Sequence, residues 1–525
     1  MKAVLLAVNS KYVHSSLSVW ALAAGVSRYA KRRHSVEIIE ATIHQGDREI
    51  AERVAAHAPD AVGVSTYIWN AAKLPGLLKA LRELMPGAVI ALGGPEAPHN
   101  AEYWLENGAD FVLRGEGEVS FPALLDALEA GETAERIIPE PAPAADWAEP
   151  PGYIDALNGR LAYLETSRGC PFKCAFCLSA GSGVRFLPLD AAKERLERLS
   201  RSGASTVKLV DRTFNCDAKR AFELFEYIIG LDTECCFHFE VAADLFDGGT
   251  LSLLAAAPAG RIQLEAGLQS FYAPALAAVC RKTDLTRAEE NIRTLLRKGN
   301  IHIHADLIAG LPHETLPRFA DSFNRAYALG AHCLQLGFLK LLRGSVLREQ
   351  AEQLGIRYAA EPPYEITESP WLSADDIKIL KHAENALRHT YNKGRFLYAL
   401  KYTLSASGTR PFELYRKLGE YAPNSGTDLG AYAASVFDFC AEQPGVDRNE
   451  LLDCVTRDWL GMVKGKNMPP FLRNPDGRRR QAAAEKHLGH ALRRDETAVL
   501  RSGKAVYVDS ADRDPVTGLY KVYDT

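Results

Sequence analysis

The sequence predicts an α/β protein in three parts: a doubly wound open sheet, a parallel partial barrel of six β/α units, and a mainly α-helical C-terminal part. Three observations predict it. Short apolar runs of β character alternate with amphipathic helical stretches from the N-terminus to about Leu347. A stretch holding Pro139, Pro141, Pro143, Pro150 and Pro151 separates the first set of runs from the second. After Glu361-Pro362-Pro363 the strand pattern gives way to helical periodicity.

Residues 1–130 supply the open sheet. Ala3–Val8 is the first strand, and Leu17–Tyr29 follows it with helical spacing. Val36–Ile39, Ala61–Ser65, Val89–Leu92 and Phe111–Leu113 are the next strands, with helical stretches between most of them. Apolar strands joined by helices form a parallel sheet covered on both faces, and such sheets bind ligands beyond the carboxyl ends of their strands. Two of these ends are glycine-rich: Gly93-Gly94-Pro95 and Arg114-Gly115-Glu116-Gly117. Residues 131–159 read as an extended proline-rich linker.

Residues 160–350 supply the barrel. Its strands are Leu161–Thr166, Thr206–Asp211, Cys236–Val241, Ile262–Gly267, Ile301–Ile308 and His332–Phe338. Helical stretches include Leu189–Ser200, Ala218–Ile229, Arg287–Lys298 and Thr315–Leu329. A barrel of this kind carries its site at the C-terminal ends of the strands. His302 and His304 alternate along one strand and so share a face; either they meet substrate inside the barrel or they pack within the strand layer. Residues 361–525 open with Ser373 and Asp376, the spacing of a capping box, ahead of a helix to about His389. Helical patterns continue to about Arg494, and Val506–Tyr523 reads as a hairpin around Asp514-Pro515-Val516-Thr517-Gly518.

Composition excludes several classes. The 525 residues are 47% hydrophobic and 24% charged, which is globular rather than disordered or fibrous. Lys and Arg number 62 against 66 Asp and Glu, a net charge of −4, so a general nucleic-acid binder is not expected. A local basic stretch, Arg478-Arg479-Arg480 with Lys486, Arg493 and Arg494, reads as a solvated face, with RNA contact as its other reading. The longest run without Asp, Glu, Lys or Arg, Tyr12–Ser27, contains a histidine and four serines, so no spanning helix is expected. The apolar run after Met1-Lys2 is too short for the core of a signal peptide. A cytoplasmic protein is the expectation, with its ten cysteines as reduced thiols.

None of those cysteines precedes Cys170, and three then crowd together as Cys170-Pro-Phe-Lys-Cys174-Ala-Phe-Cys177, directly after a strand. Three thiolates on one loop converge on a soft metal centre. Zinc is the competing reading, but it wants four ligands, and the nearest histidine, His238, is distant in sequence.

Thr166-Ser167-Arg168-Gly169-Cys170 through Cys177 resembles the cluster loop of radical SAM enzymes. The resemblance implies a [4Fe–4S] cluster held by Cys170, Cys174 and Cys177. One iron is left open for S-adenosylmethionine, which is cleaved to methionine and a 5′-deoxyadenosyl radical. Phe176 matches the aromatic position near the adenine. Further strand-end matches follow in order: Val207–Asp211, Phe239-Glu240, Glu265-Ala266-Gly267-Leu268-Gln269-Ser270, and Asp306 through Gly310 to Pro312. The resemblance implies that Asp211, Gln269, Asp306 and Gly310 bind the cofactor. Glu240 and Glu265 either bind the methionyl end or act in catalysis, or are structural carboxylates at the barrel mouth.

The N-terminal part resembles the flavodoxin-like cobalamin-binding domain found ahead of such barrels. The matching residues are Val62–Thr66, Ala91–Pro95 and Ala109–Glu118. The resemblance implies that Ser65 and Thr66 contact the nucleotide tail and that Gly93 and Gly94 let backbone approach it. Gly115 and Gly117 do the same on the other side, or simply make tight turns. Many cobalamin domains carry Asp-x-His-x-x-Gly after the first strand; here the loop reads Asn9-Ser10-Lys11-Tyr12-Val13-His14-Ser15-Ser16. Cobalamin is therefore expected without a histidine on its lower face, His14 being the one nearby challenger.

The function implied is a cobalamin-dependent radical SAM methyl transfer to an unactivated centre. The expected substrate is a small molecule of natural-product type, with a flavodoxin- or ferredoxin-type reductant and no membrane partner. Radical cyclisation or rearrangement is the alternative, and a non-catalytic cobalamin or redox sensor a more distant one. Methylthiolation would need three N-terminal cysteines for a second cluster, and none is present. The two cofactor modules are expected to face each other with the C-terminal ends of their strands, because the reacting groups must meet closely.

Overall fold

The first sheet is organised around β1, Lys2–Asn9, in which every residue from Ala3 to Val8 is buried. Its side chains alternate between two cores: Val4, Leu6 and Val8 enter one, and Ala3, Leu5 and Ala7 the other. This is the signature of a strand covered on both faces. The other strands are β2 (Ser35–Thr42), β3 (Ala61–Ser65), β4 (Val89–Gly93), β5 (Phe111–Leu113) and β6 (Ile137–Ile138). The order is β2-β1-β3-β4-β5-β6, all parallel. The chain steps outward from β1 to β2 and then returns past β1 to β3, so the switch point of the sheet lies between the loops after β1 and β3. The sixth strand comes from the segment read as an extended linker, which also holds a short helix, Tyr153–Ala156.

The computed structural model describes all residues except 144–146, 424–427, 463–467, 475–484, 486–495 and 525. The basic stretch at Arg478–Arg480 with Lys486, Arg493 and Arg494 lies outside the described residues. The chain packs as two units, residues 1–240 with 340–366 and residues 241–339 with 367–525.

In the first unit the open sheet is followed by parallel strands β7 (Ala162–Leu164), β8 (Thr206–Leu209) and β9 (Cys236–Val241). The helices Leu189–Ser200 and Ala218–Ile229 connect them, the second capped by Asp217, whose carboxylate accepts the Arg220 N–H. Residues 340–366 return to this unit. Leu347 N–H donates to Ala175 O at 2.8 Å, inside the cysteine loop. Buried Glu96, just past Gly93-Gly94, accepts the Tyr364 hydroxyl and lies 3.6 Å from Arg343.

In the second unit β10 (Ile262–Gln269), β11 (His302–Ala309) and β12 (Cys333–Phe338) pair in parallel, again with helices between them. The C-terminal part opens as predicted: Ser373 and Asp376 form a reciprocal capping box on the helix Ala374–His389. Phe412 packs on Phe319 and Phe323, and Tyr415 on Phe323 and Tyr327. The Asn392 amide bonds both backbone groups of Leu334 at 2.9 Å, standing in for a neighbouring strand at β12. The predicted hairpin exists as Ala505–Arg513 and Tyr520–Asp524, with a third antiparallel strand, Thr497–Val499, that the sequence pattern did not show.

Candidate functional site

The cysteine loop leaves β7 through Thr166 and Ser167, and Asp211, at the end of β8, holds its root. Thr166 N–H and hydroxyl donate to Asp211 at 2.9 and 2.6 Å, and Ser167 hydroxyl donates at 2.5 Å. Burial pushes the Asp211 carboxyl up, and these same hydrogen bonds oppose it. Both Asp211 oxygens are thus engaged by the loop itself, which makes it a brace for the loop. Gly169 then turns the chain with φ +93°, and a Cβ there would collide with the Gly183 carbonyl. Cys170 N–H donates to Ser182 Oγ at 3.1 Å, and Cys170 Sγ lies 3.7 Å from Thr213 Oγ1. Cys170 and Cys174 are buried; Cys177 is half-buried, beside half-buried Phe176. Burial pushes the Cys177 thiol up, with Cys174 and Cys170 adding to the effect and the Ser179 amide and Arg212 opposing it. Among the described residues no three His, Cys, Asp or Glu side chains converge on one metal ion. Thiolates that each bind a different iron of a cluster need no such convergence, so three cysteines on one glycine-turned loop fit a cluster.

The residues expected to take a cobalamin tail lie at the ends of β3 and β4. Thr66 is fully buried, and its hydroxyl has no hydrogen-bond partner. A buried hydroxyl left unpaired is costly, and a ligand group offsets that cost. Gly94 has φ +101°, and a Cβ there would sit 2.7 Å from Thr66 O. At Gly93 the nearest atom to an added Cβ is 3.9 Å away, so space opens beside the backbone. These residues fit a buried tail. Gly115 and Gly117 have protein neighbours instead. Gly115 turns at φ +67° against the Glu140 side chain, and a Cβ on Gly117 would lie 3.3 Å from Leu22. His14 is also accounted for within the protein: its Nδ1 is 2.6 Å from Tyr163 OH.

A cluster of charges that the sequence did not reveal ties these two regions together inside the first unit. The Arg168 guanidinium donates to Glu165 Oε2 at 2.7 Å, Glu116 Oε2 at 2.8 Å and Glu118 Oε1 at 2.5 Å. Arg185 also reaches Glu116. Glu116 and Glu118 follow β5 of the open sheet, whereas Arg168 is two residues before the first cysteine. Burial pulls the Arg168 guanidinium down, but Glu165 and Glu118 outweigh it and hold it above its usual value. The C-terminal end of β5 and the loop after β7 therefore meet. Arg168 belongs to the recognisable loop motif, but its partners lie 50 and 52 positions away, beyond any spacing rule.

In the second unit, strand alternation gathers the remaining candidates on one face. Glu265 and Gly267 on β10 stand opposite His304 and Asp306 on β11, and Asp306 stands opposite Gln335 on β12. His302 and His304 share this face, with rings 4.8 Å apart, and His304 Nε2 lies 2.7 Å from Gln263 Nε2. Gln269 ends β10 with φ +68°, and Gly310 turns after β11 at φ +102°. Glu240 is exposed at the end of β9, in the first unit. Glu314, which the sequence reading did not single out, is fully buried four residues after Gly310.

Comparisons with known proteins agree with this geometry. The B12 binding domain family matches residues 3–125, and the Radical SAM superfamily matches residues 164–326. A protein family of unknown function, DUF4080, matches residues 352–504. The cobalamin-dependent radical SAM methyltransferase TokK of Streptomyces tokunonensis is 24% identical over 360 residues, 58% of this chain and 51% of its own. An anaerobic magnesium-protoporphyrin IX monomethyl ester cyclase of Cereibacter sphaeroides is 25% identical over 319 residues, 54% of this chain and 52% of its own. The chain spans about half the length of the curated relatives it matches. The solved structure of the radical SAM methyltransferase TsrM from Kitasatospora setae, with cobalamin and a [4Fe–4S] cluster bound, shares the fold. Its TM-score is 0.58 at 16% identity, over 88% of this chain and 96% of that one. No helix among the described residues is long and apolar enough to cross a membrane.

Proposed function

We propose that the chain, whose residues 3–125 match the B12 binding domain and 164–326 the Radical SAM superfamily, is a radical SAM enzyme that methylates an unactivated carbon or phosphorus centre of a small molecule. One observation carries the reading: Arg168 of the cysteine loop is clamped by Glu116 and Glu118 of the B12-binding domain, so both cofactor sites belong to one hydrogen-bonded assembly. When bound, the cluster with S-adenosylmethionine supplies a 5′-deoxyadenosyl radical that abstracts hydrogen, and cobalamin supplies the methyl group. Cys170, Cys174 and Cys177 hold the cluster. Asp211 and Arg168 fix the loop that carries them. Ser65, Thr66, Gly93 and Gly94 receive the tail of the cobalamin. Phe176, Gln269, Asp306 and Gly310 take the adenosyl part, and Glu240 and Glu265 bind the methionyl end or act on substrate. A flavodoxin- or ferredoxin-type protein delivers the electron.

The test is anaerobic reconstitution with iron, sulfide, cobalamin and S-adenosylmethionine, started with a low-potential reductant. Methyl transfer yields both 5′-deoxyadenosine and S-adenosylhomocysteine. Cys→Ala at position 170, 174 or 177 is expected to remove the cluster absorbance and both products; full iron content in the triple variant would defeat the assignment. Radical cyclisation is the second reading, favoured by the cyclases among the relatives. Deoxyadenosine without S-adenosylhomocysteine would select it.

A further inference from the structure

Lys208 is a cation without a counter-charge on the side of the strand layer away from the apolar core. Along β7 and β8 the residues Ala162, Leu164, Val207 and Leu209 are buried, while Tyr163 and Lys208 alternate with them and are half-buried. Parallel register sets Lys208 beside Tyr163 on one side and His238 on the other. The loop after β1 adds His14, which bridges to Leu161 and sets its ring nitrogen 2.6 Å from Tyr163 OH.

Neither His14 nor Tyr163 brings a negative charge to this ammonium. Burial, then the charges of Lys208 and Lys11, lower the His14 imidazole, which brings no negative charge to its neighbours. Burial raises the Tyr163 phenol to about 12, so it stays protonated. Lys208 itself makes no hydrogen bond or ion pair with any described residue. Several other half-buried cations of the same unit do have carboxylate partners: Lys73 with Asp47, Arg160 with Glu40, and Arg168 with three glutamates. Glu165, two residues beyond Tyr163, already has Arg168 at 2.7 Å. A half-buried ammonium without an ion pair is unfavourable, and an incoming anion offsets that cost.

We propose that Lys208, with Tyr163 and His14 beside it, is a subsite for an anionic group of the substrate, a carboxylate or a phosphate. Lysine serves such groups as a compact point charge, and the Tyr163 hydroxyl adds a neutral donor or acceptor at its side. That the anion belongs to a substrate rests on the methyltransferase reading; the binding itself does not.

The experiment uses the reconstituted full chain and competitive labelling with an amine-reactive reagent, read by mass spectrometry at the peptide containing Lys208. Inorganic phosphate and acetate are the two probes. Protection of Lys208 by at least fivefold at millimolar probe is expected, with exposed Lys378 unaffected. Phosphate alone protecting assigns a phosphorylated substrate, and acetate alone a carboxylate. Equal labelling rates with and without both anions overturn the proposal. Calorimetry adds a second arm: phosphate or acetate binding is expected to weaken at least tenfold in Lys208→Gln and to return in Lys208→Arg. Protection without any 5′-deoxyadenosine in the turnover assay would sustain the subsite and defeat the methyltransferase reading. Deoxyadenosine with no protection would do the reverse.

Discussion

Glu314 illustrates how far burial can set a single residue's behaviour. Its Oε1 accepts Ser270 and Ser322 hydroxyls at 2.6 and 2.8 Å, while Oε2 has no partner and the residue has no exposure. Burial therefore pushes the carboxyl up to about 7 against the pull of those two hydrogen bonds. A carboxyl raised in the folded state lends its stability fully below its unfolded value near 4.5 and loses it as pH climbs through 7. Folding stability is thus expected to fall between pH 5 and 8, by at most about 3 kcal/mol from this group. Glu314→Gln keeps the acceptor and removes the titration, so its unfolding midpoint should be flatter across that window. Parallel pH profiles for the two proteins would show that Glu314 is not the source.

Among elements, the decisive one is the loop between β7 and the helix Leu189–Ser200, because three separate braces hold it. Asp211 ties its root, Gly169 allows its turn, and Arg168 joins it to the end of β5. Removing one partner from a buried charge cluster leaves the others uncompensated, typically at a cost of about 3–5 kcal/mol. Arg168→Met should therefore lower iron content and cobalamin retention together, although neither cofactor is assigned to Arg168. Arg168→Lys restores charge without the forked geometry and is expected to recover only part of both. Full retention of both cofactors in Arg168→Met would mean the clamp does not couple the two sites.

For the whole molecule, the C-terminal part is a structural partner of the second half of the barrel region. Phe319 and Phe323 are fully buried, and Phe412 and Tyr415 provide much of the cover. Uncovering such rings costs roughly 1.5–3 kcal/mol for each side chain, and the Asn392 bridge to Leu334 would be lost with them. A chain ending at Ile366 is expected to aggregate or to unfold at a clearly lower temperature than the full chain. Cooperative unfolding at an unchanged midpoint would refute this role. The match to DUF4080 over residues 352–504 gives this part a family and no chemistry of its own.

Local pattern by itself determined the strand and helix order, the cysteine triplet and the capping box at Ser373, because each depends on neighbours a few positions apart. Period-two apolar runs become strands wherever one face or both are buried, and three cysteines within eight positions share one loop whatever the rest of the chain does. The same locality made Gly93-Gly94 legible as a turn that leaves room. Tertiary structure alone decided what those elements do to one another. Asp211 proves to be a brace for the cysteine loop, Gly115 and Gly117 face protein atoms, and Ile137–Ile138 joins the sheet from a stretch whose prolines suggested a free linker. Arg168 and Lys208 carry the same charge and both stand on barrel elements, yet one has three carboxylates and the other none. Electrostatic energy depends on distance in space, and residues 50 positions apart in sequence have no distance until the chain has folded.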